Sequence, residues 1–241
     1  MGKWKKWLSA GLFTAMLGTA IIAGPTADVS ANAGNKPYNI ENVSPDAHLA
    51  PSVGDSSSKT SSKAWHKIDG VCYNGSGKKV EGAITRGMDV SEWQGKINWK
   101  EAKKDLDFAF VRISYGTRHL DDYYAYNMTE AEAADVPVGT YVYSLAKTNK
   151  EALAEAQLAI RQMQGHKVSY PVAFDLEDEA TLGTLTRKEI SQIALTFCDE
   201  IRKAGYTPIL YMNLNWYNNF VDWNVLEGSG LDVWIASYGD T

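Results

Sequence analysis

Two acidic residues within an otherwise apolar segment are the first candidates for chemistry. Residues 171–178 read Pro-Val-Ala-Phe-Asp-Leu-Glu-Asp, which predicts a buried strand carrying Asp175 and Glu177. Because strand side chains alternate between faces, these two acids point the same way, with Cα atoms roughly 6.6 Å apart. Burial and mutual repulsion raise the pKa of at least one of them. The pattern predicts a proton donor beside an ionised carboxylate, as general acid catalysis on a glycosidic bond requires.

The same acids have simpler interpretations. They could lie solvated at a strand end or cap the next helix, and an Asp-x-Glu pair can also hold a divalent metal. The four histidines lack the paired spacing of a metal-binding helix, so we expect neither a metal nor a cofactor. Of the nearby acids, Glu92 and Asp178 are expected to be solvated, and Asp121 and Asp122 to belong to a surface turn or to the rim of a groove.

Segments typical of strands and helices alternate from Arg86 onward. Helices are predicted from Asn98, from Met128, from Asn149 and after Thr186, which opens a capping box. Strands are predicted for residues 87–91, 108–114, 138–144, 171–178, 207–212 and 231–238. This alternation indicates right-handed crossovers and a parallel α/β sheet, either open and doubly wound or closed into a barrel.

Polar and aromatic residues recur at the carboxyl ends of these predicted strands, where the catalytic groups of such folds collect. Asp89 lies near the end of the first strand. Aromatic rings with hydrogen-bonding neighbours suit sugar rings, which have apolar faces and polar edges. Most of these residues taken singly would be packing residues, but the set favours a sugar-binding groove. The candidates are Trp93, Tyr115, Tyr141, Tyr143, Tyr211, Trp234 and Tyr238.

The N-terminal part of the chain has a different composition. Residues 1–33 combine a basic start, an apolar run and a small-residue cleavage site, which predicts a secretory signal peptide. The apolar run is short for a spanning helix, so export and cleavage are favoured over a membrane anchor. Residues 34–64 are polar and rich in Pro and Ser, as in flexible linkers. Residues 65–85 carry turn signals compatible with a β-hairpin.

The length, net charge and cysteine content narrow the class of protein further. The 241 residues carry a net charge of −5 without a basic cluster, which argues against nucleic-acid binding. An exported chain could join Cys72 to Cys198, although Cys198 lies in a helical pattern that favours a buried, unpaired thiol. We expect a monomer without stable membrane association once the signal peptide is removed.

At this point the motifs resemble glycoside hydrolase family 25, the bacterial and phage muramidases also called Chalaropsis-type lysozymes. The order and spacing of the motifs are together specific, and the first 85 residues lie outside the resemblance. The motifs are Gly-Met-Asp-Val-Ser-Glu-Trp-Gln-Gly at 87–95, Phe-Val-Arg-Ile-Ser-Tyr-Gly at 110–116, Gly-Thr-Tyr-Val-Tyr-Ser at 139–144, Asp-Leu-Glu at 175–177, Ala-Gly-Tyr-Thr-Pro-Ile-Leu-Tyr at 204–211 and Leu-Asp-Val-Trp-Ile-Ala-Ser-Tyr at 231–238.

The resemblance implies an irregular, TIM-like (β/α) barrel and cleavage of the β-1,4 bond between N-acetylmuramic acid and N-acetylglucosamine in peptidoglycan. It implies that Glu177 is the general acid, that Asp175 orients the substrate's N-acetyl group or acts as nucleophile, and that Asp89 is an additional acid. Two neighbours on one strand fit either route, so both stay open. The alternative is a non-catalytic peptidoglycan-binding module on the same scaffold. Three mutually repelling acids argue against it.

The resemblance also bears on the C-terminal end of the domain. The family continues through two strands beyond the last one predicted here, so residues 86–241 are expected to form a catalytic domain whose barrel stops before its last two strands. In that arrangement residues 231–238 would form an exposed sheet edge.

Overall fold

A computed structural model describes residues 6–10, 18–23, 66–74 and 77–237 of the protein. The helices in this part of the chain are α1 (Trp99–Ala102), α2 (Tyr124–Ala133), α3 (Asn149–Met163), α4 (Glu179–Leu182), α5 (Arg187–Lys203), α6 (Leu214–Asn219) and α7 (Trp223–Leu226). The strands are β1 (Lys6–Ala10), β2 (Gly18–Ala23), β3 (His66–Ile68), β4 (Val71–Tyr73), β5 (Ala83–Val90), β6 (Phe108–Tyr115), β7 (His119–Leu120), β8 (Val138–Tyr143), β9 (Val168–Asp175), β10 (Pro208–Asn213) and β11 (Asp232–Ser237).

Six parallel strands form the main part of a curved sheet, in the order β5-β6-β8-β9-β10-β11. Helices follow most of these strands, as the alternation in the sequence predicts. The short strand β7 pairs antiparallel with the end of β6. The carboxyl ends of all six parallel strands therefore meet at one rim, where the predicted site residues lie.

The sheet has no free edge at β11, contrary to the expectation from the sequence. β1 pairs in parallel with β11 from Lys6↔Val233 to Ala10↔Ser237. β2 pairs antiparallel with β1 and with β5. The sheet order thus returns to its starting strand, because an apolar segment near the N-terminus supplies the backbone groups that pair with both edges.

The predicted signal peptide includes β1 and β2, while its remaining residues and the predicted linker lie outside the described residues. Signal cleavage and the linker therefore stay predictions. No helix in the part of the chain that the structure describes is long and apolar enough to cross a membrane.

The strand face opposite the acids packs against the helices, as the alternation of β9 predicts. Phe174 on this outer face stacks on Phe197 of α5 with ring centroids 4.1 Å apart. Helix α5 begins with the predicted capping box, in which Thr186 and Glu189 exchange hydrogen bonds. Cys198 of the same helix is buried and unpaired, as expected, and Cys72 is also a free, buried thiol. The outer core is therefore formed by sheet and helices together.

The inner face of the sheet carries a second apolar cluster at the level of the strand centres. We call it the aromatic layer, and it consists of Phe108, Phe110, Tyr170 and Trp234. Phe108 stacks on Tyr170 with centroids 4.7 Å apart, and Phe110 lies 4.7 Å from Trp234. Position 139 requires glycine because an added Cβ would lie 2.6 Å from the Phe110 ring. The barrel interior is therefore filled below the rim.

The turn-rich segment before β5 forms the two-stranded hairpin β3–β4. Asp69 and Gly70, at its turn, have φ values of 49° and 79°, the positive values that a two-residue hairpin turn requires. Lys67 of β3 forms an ion pair with Asp107 at 2.9 Å, and Asp107 also accepts a hydrogen bond from the Arg86 amide. The hairpin is thereby attached at the amino ends of the strands, opposite the acidic rim.

Several element boundaries differ from the predicted ones. Helix α2 begins at Tyr124, four residues before Met128, because Asp121 binds the amide of Tyr123 and the Tyr124 side chain is buried. Strand β9 ends at Asp175, so Glu177 follows the strand. The Leu176 amide still donates to the Tyr211 carbonyl at 3.0 Å, which keeps Glu177 beside β10.

Candidate active site

The three acids predicted from the sequence meet at the carboxyl rim of the sheet. Asp89 is the next-to-last residue of β5, Asp175 ends β9, and Glu177 follows two residues later. Burial raises the pKa of Asp89 to about 6. The pKa of Asp175 is raised well above its usual value by burial, and further by the charges of Glu177 and Asp89. We call these three residues the acid cluster.

Glu177 and Asp175 lie close enough within this cluster for the charge of Glu177 to raise the pKa of Asp175. Burial raises the pKa of Glu177 to about 7, while hydrogen bonds from the side chain and backbone of Asn213 oppose the rise. Glu177 Oε1 and Asp175 Oδ1 are buried and have no hydrogen-bond partner among the described residues. Close carboxyl groups titrate as a unit, so the pair retains a proton around neutral pH.

Asn213 is a site residue that the sequence indicated only by its position at the end of β10. Its side-chain oxygen caps α6 by accepting from the Trp216 amide at 3.0 Å. Its amide group is therefore oriented with the nitrogen available to Glu177. Asn213 favours the ionised form of Glu177 and holds its carboxyl group in place.

Three of the predicted sugar-binding aromatic residues lie inside the barrel. Trp234 is only 5 % exposed and packs against Tyr211 with centroids 4.7 Å apart. Tyr141 is half-buried beneath the acid cluster, and the pKa of its hydroxyl is raised first by burial and then by the charge of Asp89. For Trp234, burial favours a packing role over the predicted contact with sugar.

Tyr115 and Tyr143 form a stacked pair at the rim, with ring centroids 4.8 Å apart. Both hydroxyl groups donate to Asp178 Oδ2 at 3.3 Å. The other oxygen of Asp178 accepts from the Thr181 amide at 2.7 Å and caps α4. The expectation that Asp178 is merely solvated is therefore wrong, because it ties the tyrosine pair to the loop that carries Glu177.

A β-bulge in β6 places Tyr115 in this pair. Arg112 pairs with Tyr141 and Ser114 with Val142, so Ile113 is an extra residue with no partner on β8. A bulge shifts the alternation of side chains by one position. As a result both Arg112 and Tyr115, three residues apart, are on the inner side of the sheet.

Exposed apolar side chains surround the mouth above the acids. Trp93 is 61 % exposed and lies in a short 3₁₀ helix after β5, which a Ser91–Gln94 capping box fixes. Leu120 after β6 and Leu214 after β10 are also exposed. Tyr238, the last predicted aromatic candidate, lies outside the described residues.

Glu92 is also paired rather than solvated, and it shares its partner with Asp121. Arg112 donates from Nε to Asp121 Oδ2 at 2.9 Å and from Nη2 to Glu92 Oε1 at 2.7 Å. Asp121 is buried, and its Oδ2 also accepts from the Glu92 amide at 2.8 Å. Asp122 is exposed, as predicted for a surface turn. The expectation for Glu92 is wrong because its partner lies on a different strand. For Asp121 the surface turn is excluded by burial, and the position at the rim of a groove remains.

The protein is therefore an α/β barrel. Its buried carboxylates lie at the carboxyl ends of the strands, and aromatic residues surround its mouth. Within this class, the family described as "Glycosyl hydrolases family 25" matches residues 88–241. The chain belongs to this family.

Curated relatives cover the same region. Lysozyme M1 of Streptomyces globisporus is 26% identical over 164 residues, which cover 64% of this chain and 55% of that protein. The uncharacterized protein YegX of Escherichia coli strain K12 is 26% identical over 166 residues, covering 63% of this chain and 56% of that protein. This chain therefore spans about half the length of these relatives.

Solved structures support the fold. A family 25 glycosyl hydrolase from Bacillus anthracis has a TM-score of 0.54 at 24% identity, covering 63% of this chain and 69% of that chain. The modular autolysin LytC from Streptococcus pneumoniae has a TM-score of 0.55 at 20% identity, covering 73% and 49%. These likenesses show that the curved α/β sheet is shared.

Proposed function

We propose that the protein is a muramidase that hydrolyses the β-1,4 bond between N-acetylmuramic acid and N-acetylglucosamine in peptidoglycan. The observation that carries the proposal is the meeting of the buried Asp175 and Glu177 carboxyl groups at a rim surrounded by aromatic side chains, where burial raises the pKa of both. Family membership and the likeness to Lysozyme M1 support the same reaction.

In this proposal Glu177 is the general acid. Its pKa of about 7 leaves the carboxyl group protonated in a large fraction of molecules at neutral pH, as proton donation to a leaving group requires. The proton passes to the glycosidic oxygen as the bond from this oxygen to the anomeric carbon breaks. Water finally supplies a hydroxyl group to the anomeric carbon and returns a proton to the enzyme.

Asp175 stabilises the positive charge that develops on the sugar, either through the substrate's N-acetyl group or by direct attack on the anomeric carbon. Both roles require an ionised Asp175 and a protonated Glu177. Asp89 adds negative charge on the opposite side of the cluster, which favours retention of the shared proton.

The exposed residues at the mouth are proposed to bind the glycan strand. Trp93 and Tyr115 offer ring faces to the apolar faces of sugars. Tyr143 supports Tyr115 by stacking, and Asp178 fixes both hydroxyl groups. Tyr141 and Tyr211 form the base of the groove, so their hydroxyl groups are the parts available to substrate.

We also propose that the enzyme is secreted and acts at the cell wall. The basic start and apolar run of residues 1–33 support export. Cleavage after these residues would remove β1 and β2 and free the edges of β5 and β11. Several solved structures that share the fold are of endolysins and autolysins, and the Cpl-1 endolysin structure contains a peptidoglycan analogue. Export would bring the protein to the substrate that the site is proposed to cleave.

Digestion of purified peptidoglycan tests the proposal. New reducing ends on muramic acid support it, ends on glucosamine indicate a glucosaminidase, and released peptides indicate an amidase. Binding to walls without new ends would favour the non-catalytic module. Activity should persist in EDTA because the proposed chemistry uses carboxyl groups alone, and a loss restored by a divalent cation would contradict this mechanism.

A further inference from the structure

Arg112 is a buried cation for which the proposed reaction has no assigned step. It lies on the inner side of β6, two positions above Phe110 of the aromatic layer. Arg112 pairs with Tyr141 of β8, which in turn pairs with Ala173 of β9. Ala173 is two residues before Asp175 and on the same face. On the other side, Phe110 pairs with Asp89 of β5. The register therefore places Arg112 one inner-face step beyond Asp89 and one step before Asp175, so Arg112 lies beside the acid cluster.

The guanidinium group is held in a fixed orientation from the rim. Asp121 and Glu92 bind two different nitrogen atoms of Arg112, at 2.9 and 2.7 Å. Asp121 is fixed in turn by amide donors from Glu92 and Tyr123. The second oxygen of Glu92 contacts Nε2 of the exposed His119 at 2.9 Å. An arginine bound by two separate carboxylates has lost most of its rotational freedom.

The fixed charge of Arg112 acts on the acidic groups around it. Asp89 of β5, Tyr141 of β8 and Asp175 of β9 face it within the barrel, while Glu92, Asp121, Tyr115 and His119 lie on the rim side. The positive charge of Arg112 lowers the pKa of Asp175, against burial and the charges of Glu177 and Asp89. It thus favours the ionised form of the residue that the proposed reaction needs ionised.

We infer that Arg112 is an electrostatic positioning residue for the Asp175–Glu177 pair, held beside the pair by Glu92 and Asp121. Without this cation the shared proton stays on Asp175, because Asn213 already favours the ionised form of Glu177. The pair would then have its proton on the wrong carboxyl group for donation. The catalytic meaning of this inference rests on the proposed function, but the effect of Arg112 on the proton does not.

The test is carboxyl titration by carbon-13 NMR in the full-length chain, with wild type and Arg112→Met compared. We expect the titration of Asp175 to move upward by at least about one pH unit in Arg112→Met, since an opposite charge nearby shifts a carboxyl pKa by roughly 1–3 units. Arg202→Met removes an exposed arginine of α5 that pairs with Asp199, and should leave the Asp175 titration unchanged. An unchanged titration in folded Arg112→Met would overturn the inference.

Two more variants keep the test decisive if Arg112→Met does not fold. Arg112→Lys keeps the charge but cannot bind both carboxylates, and should show a smaller upward shift. Arg112→Gln removes the charge but keeps a polar side chain, and should shift the Asp175 titration upward as Arg112→Met does. Normal titration of Asp175 in folded Arg112→Gln would contradict the inference.

Activity measurements separate this inference from the proposed function. If wild type releases muramic acid ends, kcat of Arg112→Met should fall and the acid limb of its pH profile should move to higher pH, with KM changed less. An equal loss at every pH would indicate a structural role and overturn the inference. If wild type releases no such ends, the proposed function fails, while the NMR titration still decides the role of Arg112.

Discussion

The lower and upper parts of the barrel interior are built from the same strands and have opposite chemistry. Phe110 belongs to the aromatic layer, while Arg112, two positions further along β6, is bound by two carboxylates. On β9, Ala173 packs in the apolar cluster and Asp175 belongs to the acid cluster. Both β6 and β9 thus change from apolar to charged within one step of the inner face.

The difference between the two levels shows how the fold raises the pKa of the carboxyl groups in the acid cluster. The aromatic layer closes the barrel below the rim and keeps water from reaching the carboxyl groups from beneath. Burial is the largest cause of the raised pKa of Asp89, Asp175 and Glu177. The apolar level therefore stabilises the fold, and it also gives the upper level its chemistry.

The largest expected effect comes from removing the proton donor of the upper level. Glu177→Gln should lower kcat about 10²–10⁴-fold with little change in stability, because an amide cannot donate the proton. The measurement is the rate of reducing-end release from peptidoglycan. Glu179→Gln removes an exposed acid at the start of α4 and should digest at the wild-type rate. Wild-type rates in Glu177→Gln would refute the assigned role.

Removing a ring from the aromatic layer should change both the free energy of unfolding and the pKa of Asp175. Phe110→Ala should lower the free energy of unfolding by about 3–5 kcal/mol and lower the pKa of Asp175, because water gains access from beneath. Chemical denaturation and NMR titration measure the two effects. Phe174→Ala, a fully buried site on the outer face, should lose similar stability without this pKa change. Equal pKa changes in both variants would show that the aromatic layer has no special role.

Glu155 of α3 is a buried acid outside the barrel interior, and it can be compared with the acid cluster. Glu155 of α3 accepts from Ser144 Oγ at 2.8 Å and from the Leu145 amide at 3.0 Å, and burial raises its pKa to about 7. A raised pKa favours folding while the group is protonated. This stabilisation is complete below the ordinary value of 4.5 and is lost as the pH rises through 7.

Glu155→Gln should therefore remove part of the pH dependence of stability. Between pH 5 and pH 8 its free energy of unfolding should decrease less than that of wild type, by a difference of the order of 2 kcal/mol. Denaturant titrations at both pH values measure this difference. Glu130→Gln, at an exposed acid of α2, should behave as wild type. Identical pH dependence in Glu155→Gln and wild type would contradict the prediction.

The smallest effect on the fold is expected at the mouth. Trp93→Ala should change the free energy of unfolding by less than about 0.5 kcal/mol, because the side chain is largely exposed. KM for soluble peptidoglycan fragments should rise by roughly 2–10-fold if the indole ring contacts a sugar. Ile68→Ala, at an exposed residue of the hairpin on the opposite side, is the control. An unchanged KM would remove Trp93 from the groove.

Short-range patterns were sufficient for much of this architecture. The alternation of β9 correctly assigned Ala173 to the inner face and Val172 and Phe174 to the outer face. The Thr186–Glu189 spacing predicted the start of α5. Such features depend on residues within a few positions of one another, so the sequence by itself determined them.

Long-range features were decided only by the tertiary structure. The bulge at Ile113 brings Tyr115 to Tyr143, and no local signal in β6 indicates it. Arg112 finds Glu92 and Asp121, 20 and 9 residues away, only because the strand order brings their loops together. The same holds for β11, whose pairing with a segment more than 200 residues earlier depends on which backbone groups remain unpaired once the other strands have assembled. Side-chain partners of this kind follow from strand order and register, which alternation and capping do not encode.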